Sequence, residues 1–337
     1  MENMFLKTAF AIGLALIVLV AHAQVKKVDA ITITVKDMSR SLPFYRDVLG
    51  FKVVKESEVY GDVYEKEQGL FGVRAKIVRM QLGDEYIELM DYLTSGGRSI
   101  PEDVKSNDLI FQHIAIVVSD MDKAYQHLRG YNVEHVSTGP QTIPPTNTAA
   151  AGVKAFYFHD PDGHNLELIY FPNGKGQPKW QNGNGKLFLG IDHTAIGISD
   201  TEKSLTFYQQ LLGIEKKGES WNNGTEQEHL NFIEGASLHI TGLRAAEGPG
   251  IEFLQYVKPG PGKKYPADSK PDDLWHWQTS LFVSDAEKLY DALKKNNTVF
   301  ISKELVDMKT ADHQHYKTFV IRDPDGHALR IIETVKG

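Results

Sequence analysis

A histidine stands seven residues ahead of an aspartate twice in this chain, His113 before Asp120 and His193 before Asp200, each time at the head of a short alternating apolar run. The same slot holds Ala30 before Asp37 and Gln278 before Asp285. A second set recurs further along each segment, at Glu88, Glu167, Glu252 and Arg330, every one flanked by apolar neighbours. Imidazole and carboxylate are the groups that hold divalent Fe, Mn, Zn, Ni or Co and that move protons near neutral pH. The 337 residues include no cysteine, so thiolate metal sites, thiol nucleophiles and disulfides are excluded. Any metal must use histidine, carboxylate or amide donors. Taken singly, a Glu in an alternating strand is an outer-face residue and a His is a hydrogen-bonded structural group. Recurrence in register lifts these positions above that reading.

Strands must position them. In the runs beginning at Ile31, Ile114, Thr194 and Thr279, side chains alternate between faces, so Ile114, Ile116 and Val118 face a helix while His113 faces the other way, and His193 does the same. Each run leads into an aspartate fit to cap a helix, at Asp37, Asp120, Asp200 and Asp285, with Arg40, Lys123, Lys203 or Lys288 three residues on. The caps lie 83, 80 and 85 residues apart, a repeat that defines four units. Each unit reads as a strand, a helix and about three strands, closing on Tyr86 to Met90, Leu166 to Tyr170, Ile251 to Gln255 or Leu329 to Glu333. Units one and three share Phe44-Tyr45 and Phe207-Tyr208, then Leu49-Gly50 and Leu212-Gly213. Units two and four share Asp-Pro-Asp-Gly-His at 160–164 and 323–327. The order is ABAB, a duplicated pair, and the Gly/Asn/Pro-rich stretch after residue 172 divides it into domains 24–172 and 187–337 with a linker at 173–186. Residues 258–273 form a similar Pro/Gly/Lys stretch inside the second pair.

With 41% apolar and 24% charged residues, the composition is that of a folded protein. A net charge of -7 offers no basic surplus for nucleic acid, and a small-molecule substrate is the expected partner. At the N-terminus, Lys7, the apolar run 9–20 and Ala21-His22-Ala23 form an export signal ending at residue 23. The run is shorter than the roughly 20 residues a spanning helix needs, so a secreted or periplasmic protein, free of the membrane after cleavage, is expected.

The four units, the Phe-Tyr and Leu-Gly pairs and the Asp-Pro-Asp-Gly-His turns together resemble the vicinal oxygen chelate superfamily, which includes glyoxalase I, extradiol dioxygenases and fosfomycin and bleomycin resistance proteins. The resemblance runs over residues 27–335. It implies an α+β fold of four βαβββ units arranged as two paired-unit cups, with ligands from the first and last strand of each unit. Pairing sequence neighbours puts Ala30, Glu88, His113 and Glu167 in the first cup and His193, Glu252, Gln278 and Arg330 in the second. The first is then expected to hold a divalent ion on Glu88, His113 and Glu167, with Glu167 or Glu88 as catalytic base and space for water at Ala30. The second, with His193, Glu252 and Gln278 as weaker candidates, is expected to be degenerate because Arg330 sets a permanent cation at a ligand position. The implied function is an exported metal-dependent enzyme acting on a small oxygen-chelating substrate, with lyase or isomerase chemistry ahead of Fe(II) dioxygenation. A metal-independent binding protein of the bleomycin-resistance type is the alternative. His159 and His164 read as turn residues, Trp275-His276-Trp277 as a candidate cup lining, and the loop 138–152 as a candidate lid.

Overall fold

The computed structural model describes residues 24–310 and 313–335, so the expected export signal lies outside the described residues. Unit one comprises β1 (Val25–Val35), α1 (Met38–Pro43), β2 (Lys52–Tyr60), α2 (Asp62–Gln68), β3 (Arg74–Leu82) and β4 (Glu85–Tyr92). Unit two has β5 (Phe111–Val118), α3 (Met121–Gly130), β6 (Gln141–Thr142), β7 (Lys154–His159) and β8 (Asn165–Tyr170). Unit three repeats the first, with β9 (Phe188–Gly197), α4 (Thr201–Leu205), β10 (Glu215–Asn223), α5 (Thr225–Asn231), β11 (Ser237–Arg244) and β12 (Gly250–Lys258). Unit four has β13 (Trp277–Val283), α6 (Ala286–Lys295), β14 (Val299–Phe300), β15 (Val306–Lys309), β16 (His315–Arg322) and β17 (Ala328–Thr334). All four aspartates cap their helices, accepting from backbone N–H groups two or three residues on at 2.8–3.0 Å. The short helices α2 and α5 were not visible in the sequence pattern.

Ile31, Ile33, Ile114, Ile116, Ile196, Ile198, Leu281 and Leu329 belong to one continuous core with the apolar sides of the long helices. The opposite strand faces curl around two cavities. One sheet runs β14-β16-β17-β13-β1-β4-β3-β2, with β15 on β16, and the other runs β10-β11-β12-β9-β5-β8-β7-β6. Unit one therefore shares a cup with unit four, and unit two with unit three. The expectation that each sequence half makes its own cup is corrected: β1 pairs antiparallel with β13, and β5 with β9.

The physical reason lies in what joins sequence neighbours. Tyr45, just after α1, donates its hydroxyl to Asp160 of the Asp-Pro-Asp-Gly-His turn in unit two at 3.0 Å, and Ser41 and the Lys36 backbone N–H reach Asp162. Tyr208 donates to Asp323 at 3.0 Å in the same way, with Ser199 on Asp325. The A signature thus docks on the B signature through a helix and a turn, which leaves each opening strand, an edge of its own unit, free to pair across the halves. The chain changes sheets at 93–110 and at 259–276. These crossovers lie against each other, with Arg98 on Asp273 at 2.7 Å and Gly262 N–H donating to Asn107 O at 2.7 Å. They approach so closely that a Cβ on Gly97 would lie 1.7 Å from Asp272 O.

Candidate metal centre

Exchanging partners between halves gathers the imidazoles and carboxylates. His113, Glu167 and His193 offer donor atoms that all lie within 4.8 Å of one another. His113 Nε2 is 3.0 Å and His193 Nε2 3.5 Å from Glu167 Oε2, and Glu252 Oε2 is 3.5 Å from His193 Nε2. Strand register builds this as a local two-fold. Ala115 pairs with both His193 and Glu167, while Ala195 pairs with both His113 and Glu252. These two alanines are fully buried and clear the floor between the four longer side chains.

Both ring nitrogens of His113, Nε2 of His193 and Oε2 of Glu167 are buried without a hydrogen-bond partner. Unmade bonds of this kind are expensive inside a protein, and the convergence of one donor atom each from His113, His193 and Glu167 is the signature of a missing shared partner. The donor set, two neutral-capable imidazoles with two carboxylates, fits a borderline divalent ion. Burial alone would raise Glu167, but His113 and His193 outweigh it and hold the carboxyl at about 2. Burial pulls His193 down, yet Glu252, Asp192 and Glu167 together keep it well above the ordinary imidazole value. Glu252 is raised, mainly by burial, with the Glu167 charge adding to it and His193 opposing.

A further residue, missed in the sequence, holds the site from behind. Asp192 accepts from His193 Nδ1 at 3.1 Å, from Arg244 through both oxygens at 2.8 and 2.9 Å, and from Trp180 Nε1 at 2.7 Å. That bond fixes the tautomer with Nε2 facing the cup. The residue just before His193 carried a signal, since Asp29 precedes Ala30 at the equivalent place in unit one. Trp180 comes from the linker, which packs into the site rather than only spanning domains. The cavity above the floor has a volume of about 190 Å³, walled by Tyr157, Leu230 and Asn222, and Ile143, Ala149 and Ala150 bring the loop 138–152 over it.

The other cup receives Ala30, Glu88, Gln278 and Arg330. Glu88, expected beside His113, is held instead by Arg79 at 2.8 Å and Thr32 at 3.3 Å, and Arg79 also grips Asp29 at 2.7 Å. A guanidinium thus stands between the carboxylates. Gln278 is buried and pairs with Thr32 on β1. Arg330 donates through Nε to Glu67 of α2 at 2.7 Å and is nowhere beside His193 and Glu252. Both departures from the ligand pattern, Ala30 and Arg330, therefore fall in one cup. His164 is a turn residue, with its ring nitrogens donating to Asp160 at 2.9 Å and Leu274 O at 2.6 Å. Trp275 and Trp277 line a separate cavity outside both cups, Trp277 stacked on Phe111 at 4.3 Å.

Fold and site together define a paired-unit scaffold with a buried His/Glu centre. The chain belongs to the Glyoxalase/Bleomycin resistance protein/Dioxygenase superfamily, whose family model matches residues 27–168 and again 190–331. It is similar to 2-epi-5-epi-valiolone epimerase from Actinomyces sp, 30% identical over 152 residues, 44% of this chain and 80% of that one. It is also similar to glyoxalase I of Saccharomyces cerevisiae, 26% identical over 194 residues, 53% of this chain and 54% of that one. In fold it resembles the crystal structure of glyoxalase I from Zea mays, with a TM-score of 0.60, 15% identity, and coverage of 91% and 92% of the two chains.

Proposed function

We propose that this protein is a metal-dependent enzyme that moves a proton next to a carbonyl of a small substrate, an isomerase, epimerase or lyase step, in the cup of units two and three. The observation that carries this is the convergence of orphaned buried donors from His113, Glu167 and His193, with a fourth group, Glu252, 3.5 Å from His193. His113, Glu167, His193 and Glu252 would hold a divalent ion, whose chemistry there is to polarise vicinal oxygens of the substrate.

The chain's own residues divide the remaining work. Glu167 is buried between His113 at 3.0 Å and His193 at 3.5 Å and is the less accessible carboxylate. Glu252 touches His193 at 3.5 Å, its side chain is 26% exposed and lines the cavity, and it takes the proton from the carbon beside the carbonyl. The base expected at Glu88 is not available to this cup, because Glu88 lies in the other one under Arg79. Tyr157 and Leu230 line the cavity beside the two carboxylates. A cavity of about 190 Å³ is smaller than the roughly 300–1,000 Å³ of drug-sized ligand sites, which supports a small substrate. The relatives named as an epimerase and as glyoxalase I support a proton-transfer class.

The test needs no natural substrate. Metal-loaded protein in D2O should exchange the carbon-bound protons of hydroxyacetone, followed by NMR. Glu252→Gln should keep most of the metal and lose exchange. Exchange that persists unchanged in Glu252→Gln, or in His113→Ala stripped of metal, defeats the proposal. A second reading has one observation in its favour: two histidines and one carboxylate within 4.8 Å match the ligand set of Fe(II) oxygenases. Oxygen uptake with catechol by the Fe(II)-loaded protein, without hydroxyacetone exchange, selects it. Export is part of the proposal too. It rests on the Lys7, apolar-run and Ala21-His22-Ala23 order, and the intact mass of extracytoplasmic protein should correspond to a start at Gln24.

A further inference from the structure

We infer that the cup of units one and four is a metal-free binding site for a small carboxylic acid with an apolar body. This does not rest on the reading of the other cup. The cavity is about 440 Å³, larger than the one over the metal centre. Its floor differs from that of its counterpart in a chemically consistent way. Where the metal cup has Ala195 and Ala115, this one has Thr32 and Ser280, and where Glu167 stands, this one has Arg330.

Arg330 is fixed through Nε to Glu67, itself buried and shared with Thr318. The two terminal nitrogens of that guanidinium have no acceptor among the described residues, and the side chain lines the cavity. Ser280, in register with Arg330 on the neighbouring parallel strand, carries a hydroxyl that is buried without a partner and lines the same cavity. A guanidinium fork with an adjacent hydroxyl donor matches a carboxylate, and a planar fork held at Nε presents its remaining donors with little entropy left to lose. Among the described residues, the acidic groups around the floor are already engaged. Glu88 is taken by Arg79 and Thr32, and Asp29 by Arg79 and Lys27. Above the charged floor the wall is mixed, with Val59, Ile77, Phe282, Met308 and Ile332 supplying apolar surface between polar residues such as Ser57 and Tyr316. A dication finds no imidazole and no unengaged carboxylate among the described residues of this floor, whereas an acid with a hydrocarbon body meets the guanidinium donors and the apolar part of the wall.

The experiment is a 19F NMR titration of chelator-stripped, full-length protein with 4-fluorobenzoate. One saturable site with a dissociation constant below about 1 mM is expected, unchanged in His113→Ala, with 4-fluorobenzamide failing to bind. Ser280→Val and Arg330→Gln should each weaken binding about tenfold. Ser280→Val leaves the Glu67 pair intact, so it decides the matter if Arg330→Gln does not fold. Absence of saturation, equal binding of the amide, unaltered affinity in Ser280→Val, or loss of binding in His113→Ala, which would place the acid in the other cup, overturns the inference.

Discussion

At the scale of single residues, the site depends on which cation faces which carboxylate. Asp192 holds His193 while being held by Arg244 and Trp180. Asp192→Asn should therefore lower metal affinity by about 10–100-fold, measured by competition with a chelator, because the imidazole loses its orienting partner. His113→Ala should abolish tight binding outright, since it removes an imidazole standing 3.0 Å from Glu167. Arg330→Glu behaves differently from what sequence neighbours imply. Beside His193 and Glu252 it would complete a metal site. In its actual place it confronts Glu67 with a second carboxylate while Ala30 and Arg79 remain, so metal stoichiometry should stay at one and stability should fall by about 3–5 kcal/mol. The facing of His113, Glu167, His193 and Glu252 was legible from strand alternation alone. Their company was not, because alternation fixes the face on which a side chain lies and says nothing about which strand comes next.

Among the elements, the helix-to-turn contacts are the repeated joint. Tyr45 and Tyr208 are fully buried, and each donates to an aspartate at 3.0 Å. Replacing either by Phe removes a hydrogen bond to a charged acceptor, and a loss of about 1.5–3 kcal/mol per site is expected in denaturant titration. The turns are also pH-sensitive. Burial would raise the Asp160 carboxyl and lower the His164 imidazole, but their contact at 2.9 Å reverses both, leaving Asp160 below its ordinary 3.8 and His164 above its ordinary 6.5. Asp323 and His327 repeat this. The aspartates stabilise the fold above pH 3.8 and stop doing so as pH falls through their lowered values. The histidines contribute fully below pH 6.5 and cease to as pH rises through their raised ones. Docking is thus firmest between those two pH values. A His164→Gln/His327→Gln double variant should lose stability there and converge on the wild type at alkaline pH, as read from melting temperature against pH. Caps and turns were readable because each is a local device of a few residues. The short α2 and α5 were not, because Gly61 and Gly224 precede them without a side-chain cap.

For the whole molecule, the sheet pairing makes the two sequence halves interdependent. Residues 24–186 and 187–335, produced as separate chains in one cell, should copurify and bind one equivalent of metal. That binding should be lost on His113→Ala in one chain or His193→Ala in the other. Equally tight binding by 24–186 alone would return the ligands to sequence-adjacent units. The number of units and their ABAB order followed from spacing and from paired motifs, and their α+β class from the family resemblance that those motifs carry. The exchange between halves did not, because β1 meets β13 some 250 residues away with nothing local to mark it. The Pro/Gly-rich stretch 258–273, which reads as a spare linker, is part of a crossover between the sheets.

The consequence of that exchange concerns independence. Were the halves two identical chains related by a two-fold axis, both cups would be the same, and a single codon change putting alanine at the position of Ala30 would strip an imidazole from each. In one continuous chain the duplicate copies are separate text. Ala30 and Arg330 alter one cup, and every donor of the other is spelled elsewhere. The fused chain can therefore revise one chamber for a new ligand while the other keeps its chemistry, a freedom denied to a symmetric pair.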